Sequence, residues 1–136
     1  MQFVINNWYL FVGLVVVLGL LVWPVLRQLQ YGVARISNAE AVRLMNHEQA
    51  VVVDVRENDE FRAGRIPKAV HAPLSGLRSG LTQLDKYKQR PIIVCCRTSQ
   101  RSAQAAVLLR QQQFAKVQIL AGGLVGWQGD NLPVEK

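Results

Sequence analysis

Residues 91–102 read PIIVCCRTSQRS. Pro91 introduces the apolar run Ile92–Cys95, which is typical of a strand buried on both faces of a parallel sheet. The polar residues after it lead into Arg101–Gln113, a stretch of helical composition with apolar residues near one face. The stretch therefore predicts a strand, a short loop and a helix, the unit from which parallel α/β sheets are built.

Apolar runs on both sides repeat this alternation. The other predicted strands are Val51–Val55, Val117–Leu120 and an extended piece at Ala69–Ala72. The other predicted helical segments are Asn38–Asn46, behind a capping box at Ser37–Glu40, then Leu74–Lys86 and Leu124–Gln128. Turns are predicted at Gly64–Pro67 and Gly122-Gly123. The alternation predicts an α/β domain with a mostly parallel sheet, right-handed crossovers and flanking helices.

The amino-terminal segment is a different object. The first 26 residues contain no charged side chain, so all 16 Lys/Arg and all 9 Asp/Glu lie in residues 27–136. As a helix, Trp8–Leu26 is about 28 Å long, close to the roughly 30 Å hydrocarbon core of a bilayer. We predict a tail at 1–7, a transmembrane helix at 8–26, a linker at 27–36 and one domain at 37–133.

Charge asymmetry gives the expected orientation. Arg27, Arg35 and Arg43 follow the apolar span, and no cationic side chain precedes it. The positive-inside rule then places the amino terminus outside and the domain in the cytoplasm. A cleaved signal peptide is the rival interpretation, but it requires Lys or Arg before the apolar run, and Met1–Asn7 has neither. Two cysteines exclude a disulfide scaffold and fit a reducing compartment.

The chemistry is expected where strands end. In parallel sheets ligands bind beyond the carboxyl ends of strands, which points to Asp54–Arg56 and Cys95–Ser102. A loop that leaves a strand and enters a helix turns its backbone N–H groups toward one point and forms an anion cradle. Cys96 faces this cradle, where the amides and two arginines favour a thiolate, and Arg101 can bind an oxyanion with its forked guanidinium. The loop therefore predicts a cysteine nucleophile for an anionic substrate, with Cys95 as part of the strand.

Five motifs in chain order resemble the rhodanese family. They are Asp54-Val55-Arg56-Glu57 with Glu60-Phe61, Gly64-Arg65-Ile66-Pro67, Ala72-Pro73-Leu74, Cys96-Arg97-Thr98-Ser99-Gln100-Arg101-Ser102, and Gly122-Gly123 with Trp127. The resemblance covers roughly residues 37–133, nearly the whole of the chain after the apolar segment, and implies a single rhodanese-like domain. With its amino-terminal anchor, the chain is similar to small membrane-bound rhodanese-like proteins of bacteria.

The resemblance implies sulfur transfer. Cys96 would attack the outer sulfur of an anionic donor such as thiosulfate, become a persulfide, and pass the sulfur to a thiol or cyanide-like acceptor. The backbone amides would hold the charge of the persulfide, and Arg97 and Arg101 the departing sulfonate. The implied substrate-binding residues are Arg97, Thr98, Ser99, Gln100, Arg101 and Ser102. The implied supporting residues are Asp54, Arg56 and Glu60.

The expected partners follow from the same residues. The net charge of +7 fits anionic substrates and equally fits attraction to anionic lipid. No zinc-ligand spacing or glycine-rich phosphate motif is present, so no metal, cofactor or nucleic acid is expected. We expect a single-pass protein of a bacterial inner membrane that contacts lipid and other inner-membrane proteins.

Three departures from the family pattern stand out. Ser99 replaces the usual Gly, and a position with φ > 0 there would cost Ser roughly 1 kcal/mol. Arg65 replaces the usual His, and Lys68 the usual Gly.

Two other functions remain open. Read from Cys95 to Arg101, the loop is Cys-x5-Arg-Ser, the spacing of cysteine-dependent phosphatases and arsenate reductases. The domain is alternatively a non-catalytic interaction module for membrane proteins, with the thiol vestigial or redox-sensing.

Overall fold

The computed structural model describes residues 1–30 and 32–136, which divide into two compact units, Met1–Gly32 and Val33–Lys136. The first unit consists of α1 (Gln2–Asn6) and α2 (Trp8–Gln30). Within α2, Trp8–Arg27 has a mean hydropathy of 2.6 and is long and apolar enough to cross a membrane. The predicted helix at 8–26 is thus present and runs four residues further. Residue 31, in the predicted linker, lies outside the described residues.

The second unit contains a five-stranded sheet in the order β1-β5-β4-β2-β3, and every pairing is parallel. The strands are β1 (Ala34–Ile36), β2 (Val51–Asp54), β3 (Val70–His71), β4 (Ile92–Cys95) and β5 (Val117–Leu120). The central strands β2 and β4 are buried at every residue, as their continuous apolar runs predicted. The predicted α/β class with a parallel sheet is confirmed.

Helices and 3₁₀ turns connect the strands. They are α3 (Asn38–His47), α4 (Asn58–Ala63), α5 (Leu77–Gly80), α6 (Gln100–Gln111), α7 (Gly123–Gly129) and 3₁₀ turns at Leu74–Gly76 and Leu81–Tyr87. Ser37 Oγ accepts from the Glu40 amide at 3.2 Å and caps α3, as predicted. The carboxylate of Glu40 binds Arg43 rather than returning to the cap. The predicted helix at 74–86 is divided by glycines into short segments.

Two elements differ from the sequence-based expectation. Residues 34–36, assigned to the linker, form β1 and pair with β5, so the linker prediction extends three residues too far into the domain. The helix α4 was not predicted, because none of its residues is buried and it therefore has no apolar stripe.

Successive residues of the strands point to opposite faces, so the sheet has a core on each face. Val53, Val94 and Cys96 belong to one core, with α6 residues such as Leu109. Ile93 and Cys95 belong to the other, with Trp127. The two adjacent cysteines are therefore separated by the sheet.

Candidate functional site

The site lies where β2 and β4 end. The two strands are paired in register, with Asp54 opposite Cys95. The loop after β2 leads into α4, and the loop after β4 leads into α6. We call residues 96–102, the second loop with the first turn of α6, the cysteine loop.

The cysteine loop exposes a continuous set of backbone donors. Among the described residues, none accepts a hydrogen bond from the amides of residues 97–102. The carbonyls of Cys96 and Arg97 accept from the amides of Leu124 (2.8 Å) and Val125 (3.1 Å), at the beginning of α7. In a trans peptide the C=O and the following N–H point in opposite directions, so the amides of residues 97 and 98 point away from α7. The contact with α7 thus orients donors toward a ligand.

This contact depends on glycine. Gly122 (φ 76°) and Gly123 (φ 58°) both adopt the left-handed conformation that glycine tolerates best. A Cβ at residue 123 would lie 2.6 Å from the carbonyl oxygen of Arg97 and would also overlap that of Cys96. The predicted Gly-Gly turn is therefore also the surface on which the cysteine loop packs, a role that the sequence did not indicate.

The two cysteines have different environments. Cys95 is the last residue of β4 and has no exposed surface; burial and the charge of Asp54 raise the pKa of its thiol, which stays protonated. Cys96 follows the strand, begins the cysteine loop and is 1% exposed. The strand end favours the shorter loop counted from Cys96, and the raised pKa of the Cys95 thiol disfavours the phosphatase interpretation.

Arg101 is paired with a carboxylate. Its guanidinium donates to both carboxylate oxygens of Glu60, at 2.7 and 2.9 Å. These hydrogen bonds lower the pKa of Glu60 to about 2. The pair joins α6 to α4. The binding of the substrate anion by Arg101 and the supporting role of Glu60 stay predictions.

Asp54 and Arg56 form a buried brace under the loop after β2. The guanidinium of Arg56 donates to Asp54 (2.7–3.0 Å) and to the carbonyl of Gly64 (2.6 Å). His71 Nε2 donates to the carbonyl of Arg56 at 2.8 Å, and its ring stacks on Phe61 with centroids 4.2 Å apart. These contacts hold the loop after β2 against the strand end, and the supporting role of Asp54 and Arg56 stays a prediction.

The remaining predicted site residues occupy different positions around the loop. Arg97 is exposed and lines an open cleft of about 300 Å³ with Glu60 and Leu124. Thr98 and Gln100 are exposed. Ser102 is completely buried, and its Oγ has no partner among the described residues. Within residues 1–30 and 32–136, no three His, Cys, Asp or Glu side chains are grouped to hold a metal ion.

Ser99 has a contact that the sequence did not reveal. Its Oγ accepts from Arg35 Nη1 at 2.9 Å, across 64 residues of sequence. Its φ of 162° is extended, so the strain that would follow from φ > 0 does not arise. Lys68, the other replacement of a family glycine, does have a left-handed φ of 64°.

Comparisons with known proteins agree with this architecture. The family model for the "Rhodanese-like domain" matches residues 37–130. "Uncharacterized protein YibN" of Escherichia coli (strain K12) is 34% identical over 135 residues, which cover 98% of this chain and 94% of that protein. A protein named "Sulfurtransferase" from Allochromatium vinosum is 32% identical over 98 residues, covering 72% of this chain and 90% of its own.

A solved structure is similar as well. The rhodanese-related protein from Thermoplasma volcanium has a TM-score of 0.68 and 27% identity, with 75% of this chain and 97% of that chain covered. The family model spans more than half of the chain and includes all five motifs. The chain therefore belongs to the rhodanese-like domain family.

Proposed function

We propose that the chain is a sulfurtransferase that carries sulfane sulfur as a persulfide on Cys96. The observation that carries the proposal is the set of six successive amides at residues 97–102, beside the first residue after β4, which have no acceptor among the described residues. Such a set, at the positive end of α6, stabilises negative charge on a sulfur atom. The Allochromatium vinosum protein named "Sulfurtransferase" supports the same reaction class.

The reaction takes two steps. The Cys96 thiolate attacks the outer sulfur of thiosulfate, a new S–S bond forms, and sulfite leaves with the electron pair of the broken S–S bond. A thiol or cyanide then takes the outer sulfur of the persulfide and restores the thiolate. The amides hold the charge in both states, and the exposed Arg97 binds the sulfonate. Because Cys96 is 1% exposed, the donor reaches it only after neighbouring side chains move.

We propose further that α2 anchors the domain in a bacterial inner membrane, with the amino terminus outside and the domain in the cytoplasm. The apolar Trp8–Arg27 stretch and the arginines that follow it support this arrangement. The similarity to the Escherichia coli protein includes this segment, since it covers 98% of the chain. Lipid and other inner-membrane proteins are then its neighbours.

The test uses the full chain in detergent micelles. The reduced protein is incubated with thiosulfate, and its intact mass is compared with those of Cys95→Ser and Cys96→Ser. We expect a mass gain of one sulfur atom that persists in Cys95→Ser and disappears in Cys96→Ser. A folded protein that gains no sulfur from thiosulfate, polysulfide or a low-molecular-weight persulfide would disprove the catalytic proposal.

One observation favours a second candidate function. The near-complete burial of Cys96 fits a domain that binds partner proteins without sulfur chemistry. The two candidates separate on protein isolated from cells, because a carrier retains a cyanide-labile sulfur on Cys96 and an interaction module does not.

A further inference from the structure

The charges around the cysteine loop are not equally available to a ligand. Arg56 is paired with Asp54, and Arg101 with Glu60. Within the described residues, Arg35 and Arg97 form no ion pair with a carboxylate. An anionic ligand at the loop therefore meets the positive charge of these two arginines.

The fold brings Arg35 to the loop. It lies in the edge strand β1, where Ile36 is buried and Arg35 is exposed. The parallel pairing of β1 with β5 directs its carboxyl end to the same edge of the sheet as the carboxyl end of β4. From there Arg35 Nη1 donates to Ser99 Oγ at 2.9 Å.

The Ser99 side chain does not cap α6. Ser99 is the N-cap residue of α6, and a serine there ordinarily accepts from the second or third amide of the helix. Here the side chain makes no capping hydrogen bond, and its oxygen accepts from Arg35 instead. The amides of Arg101 and Ser102, to which a capping serine would bond, have no acceptor in the part of the chain that the structure describes.

We propose that Arg35 is a positioning residue that prepares the cysteine loop for anionic sulfur donors. It keeps the Ser99 hydroxyl from closing the cradle, and it adds a positive charge beside the cradle. The inference rests on the proposed function for its donor class, but it concerns anion binding and is measurable without sulfur transfer. Ser99, at a position where the family usually has glycine, then has a role as the acceptor for Arg35.

The test measures binding of thiosulfate by calorimetry to the full chain that carries Cys96→Ser, which cannot form a persulfide. We expect Arg35→Gln to weaken binding about tenfold, as loss of a charge-assisted contact does. Arg35→Lys should retain most of the affinity. In a Ser99→Ala background, Arg35→Gln should weaken binding less than it does with Ser99 present, because an alanine cannot cap the helix and only the charge is lost.

The double variant Arg35→Gln/Ser99→Ala separates the two effects. It should recover about threefold of the loss, since the cradle reopens while the charge stays absent. Lys116→Gln, which removes an equal charge just before β5, controls for net charge and should change nothing. The inference is wrong if the parent does not bind thiosulfate, or if Arg35→Gln binds it as tightly as Lys116→Gln. If that binding depends on Arg35 while the chain with Cys96 intact gains no sulfur from any donor, only the catalytic proposal is disproved.

Discussion

The loops after β2 and β4 leave neighbouring strands at the same edge of the sheet, but their amides differ in whether they have hydrogen-bond acceptors. After β2, the amide of Arg56 donates to Asp54 at 3.0 Å, and Glu57 and Glu60 form a reciprocal capping box. After β4, the amides of residues 97–102 have no acceptor among the described residues. One loop is closed by its own carboxylates, and the other is open.

The difference comes from where acidic side chains stand. The first turn of α4 contains Asp59 and Glu60, whereas the first turn of α6 contains no acidic residue. A helix amino terminus attracts negative charge wherever it comes from. A strand end of this sheet is therefore available to an anion only where no acidic side chain lies in the loop or helical turn that follows it. The topology provides two equivalent places, and the residues decide which one takes a ligand.

The largest effect is expected from opening the closed loop. Asp54→Ala leaves the guanidinium of Arg56 buried without its carboxylate, which should lower the free energy of unfolding by about 3–5 kcal/mol. Denaturant titration of the full chain measures this. Asp85→Ala, which breaks an exposed pair with Lys88, is the control and should cost less than about 1 kcal/mol. Equal losses in the two variants would mean that the buried pair does not brace the fold.

Displacing the open loop should have the next largest effect. Gly123→Ala places a Cβ against the carbonyls of Cys96 and Arg97 at a left-handed φ, and we expect a loss of about 2–3 kcal/mol. Persulfide formation should fall by more than the loss of stability explains, because the loop amides turn with their carbonyls. Gly129→Ala in the same helix meets open space and should stay within about 0.5 kcal/mol. A Gly123→Ala variant as stable and active as Gly129→Ala would contradict the packing role of α7.

The closed and open loops also differ in how far the sequence predicted them. The strands β2, β4 and β5 were correct because short apolar runs between turn residues indicate burial without knowledge of neighbours. The open loop followed from its place between a strand and a helix. A supporting role was predicted for Asp54, Arg56 and Glu60, and in the structure Asp54 pairs with Arg56 and Glu60 with Arg101.

Contacts between distant parts of the chain were not predictable. The pairing of Arg101 with Glu60 was not predicted, because Glu60 is 41 residues away, in a helix without an apolar stripe. The strand β1 has only three residues, too few to show an alternating pattern, so the contact of Arg35 with Ser99 could not be foreseen. In each case the decisive information is the spatial neighbour, which local patterning does not contain.

In the open loop, one substitution should raise the stability by a smaller amount. The Oγ of Ser102 is buried without a partner, so Ser102→Ala removes an unsatisfied polar group and should stabilise the chain by about 1 kcal/mol. The same change should slow persulfide formation if the hydroxyl serves the bound sulfur. Ser79→Ala removes a hydroxyl that donates a hydrogen bond to the carbonyl of Gly76, so it should not stabilise the chain. A destabilised Ser102→Ala would show that the hydroxyl has a structural partner.

The smallest effect concerns the link between the two loops. The pKa of Glu60 is lowered to about 2, so its ion pair stabilises the fold fully above its ordinary value of 4.5, and the stabilisation is lost as the pH falls from 4.5 toward 2. Glu60 and Arg101 are each about one-third exposed, so the contribution should stay below about 1 kcal/mol. The stability difference between the parent and Glu60→Gln should be constant near neutral pH and shrink in that acid range.

Arg101→Gln provides the matched control, because Arg101 is the main cause of the lowered pKa. With Arg101 absent, replacing Glu60 should have little further effect on the acid profile, so the two changes should not add. Two results would mean that Glu60 closes its own loop through Glu57 alone. One is additive losses of stability, and the other is a stability difference between the parent and Glu60→Gln that does not change between pH 5 and pH 2. The closed loop would then be independent of the open one, and Arg101 would be available to the anion after all.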